Sequence, residues 1–241
     1  MDRYDRQTRL PGFGPDGLGK LRSGRALVVG AGGLGSPVVT YLAGAGVGAL
    51  RIVDDDAVEA SNLHRQVLYT EAEIGQPKAV RAAARARAMN GGVDAEALVE
   101  RADAGNLPQL LEGVGVAIDC CDNMATRYAL NRACLLSGVP YVWAAIGGYC
   151  GRCSTVVAGQ PCFECVFGPL ADQPPQPVRP PVFGPVCGSV GSLAAAEAVK
   201  VLTGAGATLA GRLASLDFQT GELAVIAVAR DPRCAAHAAA A

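Results

Sequence analysis

The chain has 241 residues, of which half are hydrophobic and 18% are charged, a composition that suits one sizeable α/β domain. Its net charge of −1 and pI near 6.1 argue against nucleic-acid binding, which needs a basic surface to neutralise phosphates. The polar N-terminus and the lack of an uncharged apolar run of about 18 residues argue against a secretory signal and a membrane span, so we expect a cytoplasmic protein.

The first half of the chain alternates short apolar runs with helical stretches. The predicted strands span 26–30, 50–54, 115–119 and 139–144, and the predicted helices span about 36–47, 77–90, 103–112 and 124–137. Such alternation is typical of βαβ units, which form a parallel sheet with right-handed crossovers. We therefore predict an α/β fold with a Rossmann-like nucleotide-binding core in residues 1–145.

The second half, residues 146–241, has a different pattern within the same single domain. It contains short strands at 152–158, 213–218 and 222–228 and one helix at about 188–203. We expect these strands to continue the sheet in antiparallel fashion. Seven prolines from Pro169 to Pro185 predict an extended, exposed loop without regular pairing, and the tail after Arg233 should fray unless a ligand ties it down.

A glycine-rich turn follows the first strand and opens the first long helix. Its glycines are Gly30, Gly32, Gly33 and Gly35. In this context glycines let a phosphate approach backbone N–H groups at the positive end of a helix. Asp54, 19 residues after Gly35, is placed to accept the ribose hydroxyls. These residues alone fit NAD as well as ATP, and glycines that serve only a tight turn remain an alternative.

The next segment favours ATP. Arg65 and Lys78 follow the glycine turn together with Asn62 and Gln66, and a departing pyrophosphate needs cations of this kind to neutralise it. Asp122 follows the strand at 115–119, at the end where α/β folds place ligand groups, and is a candidate for Mg²⁺. Taken singly, Arg65 and Lys78 also fit solvated surface charges, and Asp122 fits a turn residue.

Two ligand pairs predict a tetrahedral metal site. Cys162 and Cys165 form one pair, and Cys234 and His237 form the other, each with the two-residue gap that lets one turn present both ligands. Four ligands close such a site, so its role is structural. Free buried thiols are the alternative. A further CxxC pair, Cys150 and Cys153, falls in or beside a predicted strand and stays unassigned.

Seven motifs in order then resemble one family. They are RYDRQ (3–7), GAGGLG (30–35), DDDAVEASNLHRQ (54–66), GQPK (75–78), DCCDN (119–123) with Arg127 after it, GPVCGSVGSLAAAEAVK (184–200) and the paired metal ligands. Together they resemble the bacterial MoeB/ThiF branch of the ubiquitin-activating enzyme superfamily, over nearly the whole chain.

This resemblance implies an adenylyltransferase and a role for each matching residue. Asp54 holds the ribose, Asn62, Arg65 and Lys78 hold the phosphates, and Asp122 binds Mg²⁺. Arg6 reaches the ATP site of the partner subunit, which requires a homodimer. The four cysteine and histidine ligands hold zinc, with His237 in place of a fourth cysteine. We also assign nucleotide contacts to the four glycines and to Asp56, Gln66, Asn123 and Arg127.

The function implied is activation of the C-terminal carboxylate of a small ubiquitin-like sulfur-carrier protein ending in Gly-Gly, bound by residues 146–241. A sulfur donor, either a protein or sulfide, then displaces AMP. No cysteine lies between residues 166 and 186, where some relatives form a covalent link, and Cys187 fits a buried packing residue better than a nucleophile. An NAD-dependent oxidoreductase and a non-catalytic carrier-docking scaffold are the alternatives.

Overall fold

The structure is a computed structural model that describes residues 2–175 and 181–238. Its strands are β1 (Arg25–Val29), β2 (Ala49–Val53), β3 (Asp94–Leu98), β4 (Val116–Asp119), β5 (Tyr141–Gly147), β6 (Cys150–Val156), β7 (Arg212–Asp217) and β8 (Glu222–Ala227). Its helices are α1 (Asp5–Thr8), α2 (Gly14–Ser23), α3 (Gly35–Ala45), α4 (Lys78–Met89), α5 (Leu107–Leu110), α6 (Met124–Ser137), α7 (Phe163–Phe167), α8 (Gly184–Thr203) and α9 (Ala235–Ala238). Single 3₁₀ turns lie at Ala60–Asn62, Glu71–Glu73 and Leu170–Asp172.

All the strands belong to one sheet with the order β3-β2-β1-β4-β5-β6-β7-β8. The neighbours from β3 to β5 pair in parallel, and those from β5 to β8 pair antiparallel. The predicted α/β fold, with a parallel core continued by antiparallel strands, is confirmed. The strand order reverses between β1 and β4, and in open α/β sheets this is the point where ligands bind.

Two apolar cores cover the two faces of the sheet. One core contains α2, α3, α4 and α8, and the other contains α5, α6, α7 and the C-terminal α9. α8 is the one helix in the described residues that is long and apolar enough to cross a membrane. It packs against α2, α3 and the strands β4, β5 and β6, so its apolar character reflects its place in the core.

Several elements differ from the sequence-based expectations. β3 was not predicted, because at the sheet edge it alternates exposed polar and buried small residues instead of forming an apolar run. α1 and α2 were not predicted either, and α2 carries three glycines among its ten residues. The predicted helix at 103–112 contracts to the four residues of α5. The tail after Arg233 is not frayed as far as Ala238, since α9 buries Ala236 and His237.

The proline-rich loop is more ordered at its ends than predicted. It contains the 3₁₀ turn Leu170–Asp172, and Val182 forms a parallel bridge with Gly148. α8 begins at Gly184, four residues before the predicted start, because Pro185 occupies its first turn, where a missing N–H costs nothing. Residues 176–180 of this loop lie outside the described part of the chain.

Candidate functional site

The glycine loop, residues 30–35, lies where the strand order reverses. Gly30 has a φ of 94°, and a Cβ there would lie 2.6 Å from the carbonyl oxygen of Cys120, at the end of β4. A Cβ on Gly35 would lie 2.1 Å from the Gly30 oxygen. Only glycine fits at both positions, because one needs a left-handed backbone and both need a close backbone approach. The first turn of α3 therefore begins where the strand order reverses, between β1 and β4.

Asp54 anchors the loop from the end of β2. Its Oδ2 accepts from the Ala31 N–H at 2.7 Å and its Oδ1 from the Asp56 N–H at 2.9 Å. Burial raises the pKa of the Asp54 carboxyl above its ordinary value, although the Ala31 N–H and the Lys78 ammonium oppose this shift. The carboxylate is thus fixed beside the glycine loop, as a group that accepts ribose hydroxyls must be.

A turn at residues 62–66 packs over the loop. The Asn62 Oδ1 accepts from Gln66 Nε2 at 2.6 Å and from Arg65 Nη2 at 3.2 Å. Gln66 is 3% exposed, and its Oε1 has no hydrogen-bond partner among the described residues. A Cβ on Gly32 would lie 3.4 Å from Gln66 Nε2. The amides of this turn therefore hold Arg65 close to the glycine loop.

Lys78 begins α4 and faces the same edge of the sheet. Its Nζ lies 2.7 Å from Asp56 Oδ2. The Lys78 side chain is only 5% exposed, whereas that of Asp56 is 64% exposed. A buried ammonium needs a partner, and here the partner is a solvent-exposed carboxylate. An arriving phosphate can replace Asp56 at Lys78 without leaving a buried charge unpaired.

The loop between β4 and α6, residues 120–123, is held from inside the protein. Asp119 is fully buried, and its Oδ2 lies 3.0 Å from Arg127 Nη1 and 2.6 Å from the donating hydroxyl of Tyr141. Arg127 Nη2 also donates to the Cys121 carbonyl at 2.8 Å. Burial opposes the charge on Arg127, but Asp119 and its neighbours raise the pKa of the guanidinium overall. Asp122 alone in this group is exposed.

This arrangement differs from two of the predicted nucleotide contacts. The Arg127 guanidinium lies beneath the loop, where all its described partners are interior groups, so it faces away from the open edge. The Asn123 Oδ1 accepts from the Thr126 N–H at 2.8 Å and caps α6. Both side chains therefore shape the loop that carries Asp122. The sequence pattern could not separate a contact from a support at the same edge.

Cys187 lies on α8 directly below the glycine loop. It is fully buried, and a Cβ on Gly33 would lie 2.8 Å from its Sγ. Burial raises the pKa of the Cys187 thiol, and Arg65 opposes the shift only in part. The thiol is thus a packing group and not an activated thiolate. The sequence analysis favoured the same interpretation.

Arg6 is exposed on α1, at the far end of α3 from the glycine loop. Gln7 Nε2 donates to the carbonyl of Ala45, and Tyr4 packs against Gly46, both at the C-terminal end of α3. α3 has 11 residues, which at 1.5 Å per residue separates its two ends by about 16 Å. Within one chain, Arg6 is therefore remote from the other residues of the nucleotide edge.

The predicted metal ligands meet in one cluster. The ligand atoms of Cys162, Cys165, Cys234 and His237, which we call the metal cluster, all lie within 4.8 Å of one another. The Cys162 Sγ lies 3.8 Å from Cys165 Sγ and 3.7 Å from Cys234 Sγ. His237 Nε2 is buried and has no hydrogen-bond partner among the described residues. Cys150 and Cys153 are not part of it. Both lie on β6, and Cys153 is buried in the core on the other face of the sheet.

Comparisons with known proteins identify the family. The model of the ThiF family matches residues 4–236. The chain belongs to the ThiF family. It is 43% identical to the "Sulfur carrier protein adenylyltransferase" of Thermus thermophilus, over 97% of this chain and 89% of that one. It is 41% identical to the "SAMP-activating enzyme E1" of Haloferax volcanii, over 97% of this chain and 87% of that one.

A solved structure shows the same fold. The crystal structure of E. coli MccB with MccA-N7isoASN matches with a TM-score of 0.89 at 22% identity, covering 98% of this chain and 74% of that one. This ThiF-family chain thus has the fold that its motifs predicted, and the resemblance to the MoeB/ThiF branch is confirmed.

Within this ThiF-family chain, the structure brings most of the predicted nucleotide residues to one edge. The residues that line this edge are Gly30, Gly32, Gly33, Gly35, Asp54, Asp56, Asn62, Arg65, Gln66, Lys78 and Asp122. Sequence reasoning missed the roles of Asp119 and Tyr141, which hold Arg127 beneath the loop between β4 and α6. A signal was present, since an aspartate that ends an apolar strand must find a partner when it is buried.

Proposed function

We propose that this chain adenylates the C-terminal carboxylate of a small ubiquitin-like sulfur-carrier protein, using ATP. The observation that carries the proposal is the Lys78–Asp56 pair beside the glycine loop and Arg65. This pair supplies a buried cation, Lys78, that can bind a phosphate in place of Asp56. A triphosphate needs such a cation to neutralise its departing pyrophosphate, whereas a dinucleotide has no such leaving group. The names of the Thermus and Haloferax relatives support a carrier protein as the substrate.

The proposed reaction needs no general base. The carrier's carboxylate is ionised at neutral pH, and its oxygen attacks the α-phosphorus of ATP as the bond to pyrophosphate breaks. Asp54 orients the ribose, and Arg65 and Lys78 take up the charge of the departing pyrophosphate. Asp122 would hold Mg²⁺, which supplies further charge neutralisation at the phosphates. Catalysis is then positioning and charge stabilisation.

The ligand chemistry of the metal cluster fits zinc. A tetrahedral Zn²⁺ with Zn–S bonds of about 2.3 Å separates its sulfur ligands by roughly 3.8 Å, which agrees with the two observed separations of 3.7 and 3.8 Å. The cluster is formed by α7, α9 and the residues that directly precede them, and four protein ligands leave no open coordination position, so we expect a structural role. We expect one zinc per chain, measured by elemental analysis of freshly purified protein.

The proposal includes a homodimer that shares its sites. Since α1 lies at the far end of α3, Arg6 can serve an active site only from a neighbouring subunit. A mixed dimer of Arg6→Ala and Lys78→Ala subunits would then regain one working site from two inactive parents. Verified heterodimers without activity would remove Arg6 from the site.

The remaining partners follow from the chemistry. Residues 1–145 bind the nucleotide, residues 146–241 bind the carrier's body, and the carrier's tail ends in Gly-Gly so that it is slender enough to reach the α-phosphate. Sulfide displaces AMP to leave a thiocarboxylate directly. A protein persulfide displaces AMP to give an acyl disulfide, and a thiol then reduces its S–S bond to release the thiocarboxylate. All nine cysteines are free, which supports a cytoplasmic location, where thiols stay reduced.

ATP–pyrophosphate exchange tests the function. We expect exchange only with a carrier ending in Gly-Gly and not with the same carrier amidated at its C-terminus, because an amide offers no nucleophilic oxygen anion. A thermal-shift assay with ATP and with NAD tests the oxidoreductase alternative. Stabilisation by NAD alone would favour that alternative, and carrier binding without exchange would favour the non-catalytic scaffold.

A further inference from the structure

Phe163 joins the metal cluster to helix α6. It lies between the ligands Cys162 and Cys165 and is 2% exposed. The guanidinium carbon of Arg127 lies 5.4 Å from the centre of its ring. The Phe163 N–H donates to Asn131 Oδ1 at 3.0 Å, one helical turn beyond Arg127. α6 also contacts this segment through Arg132, which pairs with Glu164, and through Tyr128, whose ring centre lies 5.3 Å from that of Phe163. The metal-cluster segment is therefore held against α6 at several points.

Arg127 carries this contact to the loop that bears Asp122. Its Nη1 pairs with Asp119, and its Nη2 donates to the carbonyls of Cys121 at 2.8 Å and Ala144 at 3.0 Å. Cys121 directly precedes Asp122. The position of the guanidinium thus fixes the backbone from which the exposed Asp122 side chain extends.

Only arginine can make all these contacts at once. Its planar fork donates in several directions while its face stacks on an aromatic ring, whereas a lysine ammonium is a single point of charge. The Asp119–Arg127 pair is buried on both sides, so the guanidinium cannot turn to water if Phe163 moves. A shift of the metal-cluster segment must then shift the loop.

We infer that Arg127 and Phe163 are positioning residues for the Asp122 loop, and that they couple the metal cluster to the binding of a magnesium–nucleotide complex. The inference rests on the proposed function for the identity of the ligand at Asp122. The chain contains a single tryptophan, Trp143, whose ring centre lies 5.2 Å from that of Phe163. Its fluorescence reports on this contact.

Two variants and one control test the positioning. Arg127→Lys keeps the charge and removes the fork, and Phe163→Leu keeps an apolar side chain and removes the ring face. Phe167→Leu is the matched control, because Phe167 contacts Phe163 and Trp143 and has no described contact with Arg127. The assay is calorimetric binding of a non-hydrolysable ATP analogue at increasing Mg²⁺, with zinc content and thermal midpoint measured alongside.

We expect both variants to raise the Mg²⁺ concentration for half-saturation by about tenfold or more, which is typical when a group that orients a metal ligand is removed. The double variant should lose little more than either single one, since both act through one contact. Phe167→Leu should match the parent. Unchanged Mg²⁺ dependence in folded, zinc-loaded Arg127→Lys and Phe163→Leu proteins would overturn the positioning roles.

The unaltered protein tests the coupling, whether or not the variants fold. Zinc is partitioned at equilibrium between the protein and a competing zinc-selective chelator, followed by a zinc dye and by Trp143 fluorescence, with and without saturating magnesium and the ATP analogue. Coupled sites affect each other's affinities reciprocally, so we expect bound nucleotide to raise the zinc affinity by about fivefold or more. Equal zinc affinities in the two conditions, or purified protein that holds no metal, would overturn the coupling. Both assays measure binding, so a lack of pyrophosphate exchange would count against the proposed function alone.

Discussion

Two cation–carboxylate pairs lie at the same edge of the sheet and differ in one respect. Lys78 and Arg127 are both buried, with side chains each 5% exposed. The partner of Lys78 is Asp56, which is 64% exposed, whereas the partner of Arg127 is Asp119, which is fully buried. The first pair can open to a ligand and the second cannot. The exposure of the carboxylate therefore distinguishes Lys78, the proposed binding residue, from Arg127, which is paired in the interior, although the two pairs have similar lengths.

The largest expected effect comes from breaking the closed pair. Asp119→Ala leaves Arg127 buried without its counter-ion and Tyr141 without its acceptor, and should lower the free energy of unfolding by about 3–5 kcal/mol. Urea unfolding measures it. Asp56→Ala is the matched control and should cost clearly less, because the charge of the neighbouring Asp54 still acts on the Lys78 ammonium. If the two variants lose equal free energy of unfolding, the proposed difference between the two pairs is wrong.

The open pair should matter for chemistry instead. Lys78→Ala removes charge from the leaving pyrophosphate and should lower pyrophosphate exchange by about 10² or more, while the protein stays folded. Circular dichroism and thermal unfolding serve as the control for folding. Near-normal exchange by a folded Lys78→Ala protein would exclude Lys78 from the reaction.

The packing of Cys187 beneath the glycine loop also limits which side chains fit in the loop. Gly33→Ala places a Cβ 2.8 Å from Cys187 Sγ, and such overpacking costs about 1–3 kcal/mol. We expect weaker ATP binding in calorimetry. Adding Cys187→Ala removes the sulfur and should restore much of the affinity, a non-additive pair. If the double variant binds ATP as weakly as Gly33→Ala, the contact with Cys187 does not determine the conformation of the glycine loop.

The smallest effect is expected for Cys187→Ala alone. The thiol is buried and its pKa is raised, so it offers little thiolate to attack the adenylate. The variant should keep full pyrophosphate exchange and accept sulfide as the parent does. Trapping a reductant-sensitive adduct between Cys187 and the carrier, with loss of thiocarboxylate formation in the variant, would show a covalent mechanism instead.

The comparison also shows what the sequence could and could not predict. The glycine turn, the position of Asp54 at a strand end and the grouping of the four cysteine and histidine side chains could be predicted, because the spacing of these residues along the chain indicates each of them. Arg127 was assigned to the nucleotide because the order of motifs along the chain does not show which side chains are buried. Its partner Asp119 lies eight residues away, and only the packing of α6 on the sheet makes the two meet. β3 escaped prediction for a related reason, since pairing with β2, and not its own apolarity, makes it a strand.

Transfer of a carrier oxygen to AMP tests the central claim most directly. The carrier's C-terminal carboxylate is labelled with ¹⁸O and incubated with the protein, MgATP and sulfide, and the products are analysed by mass spectrometry. Attack of the carboxylate on the α-phosphorus, followed by displacement of AMP by sulfur, predicts AMP with one ¹⁸O atom and unlabelled pyrophosphate. Unlabelled AMP, or label in inorganic phosphate, would contradict adenylation of the carrier.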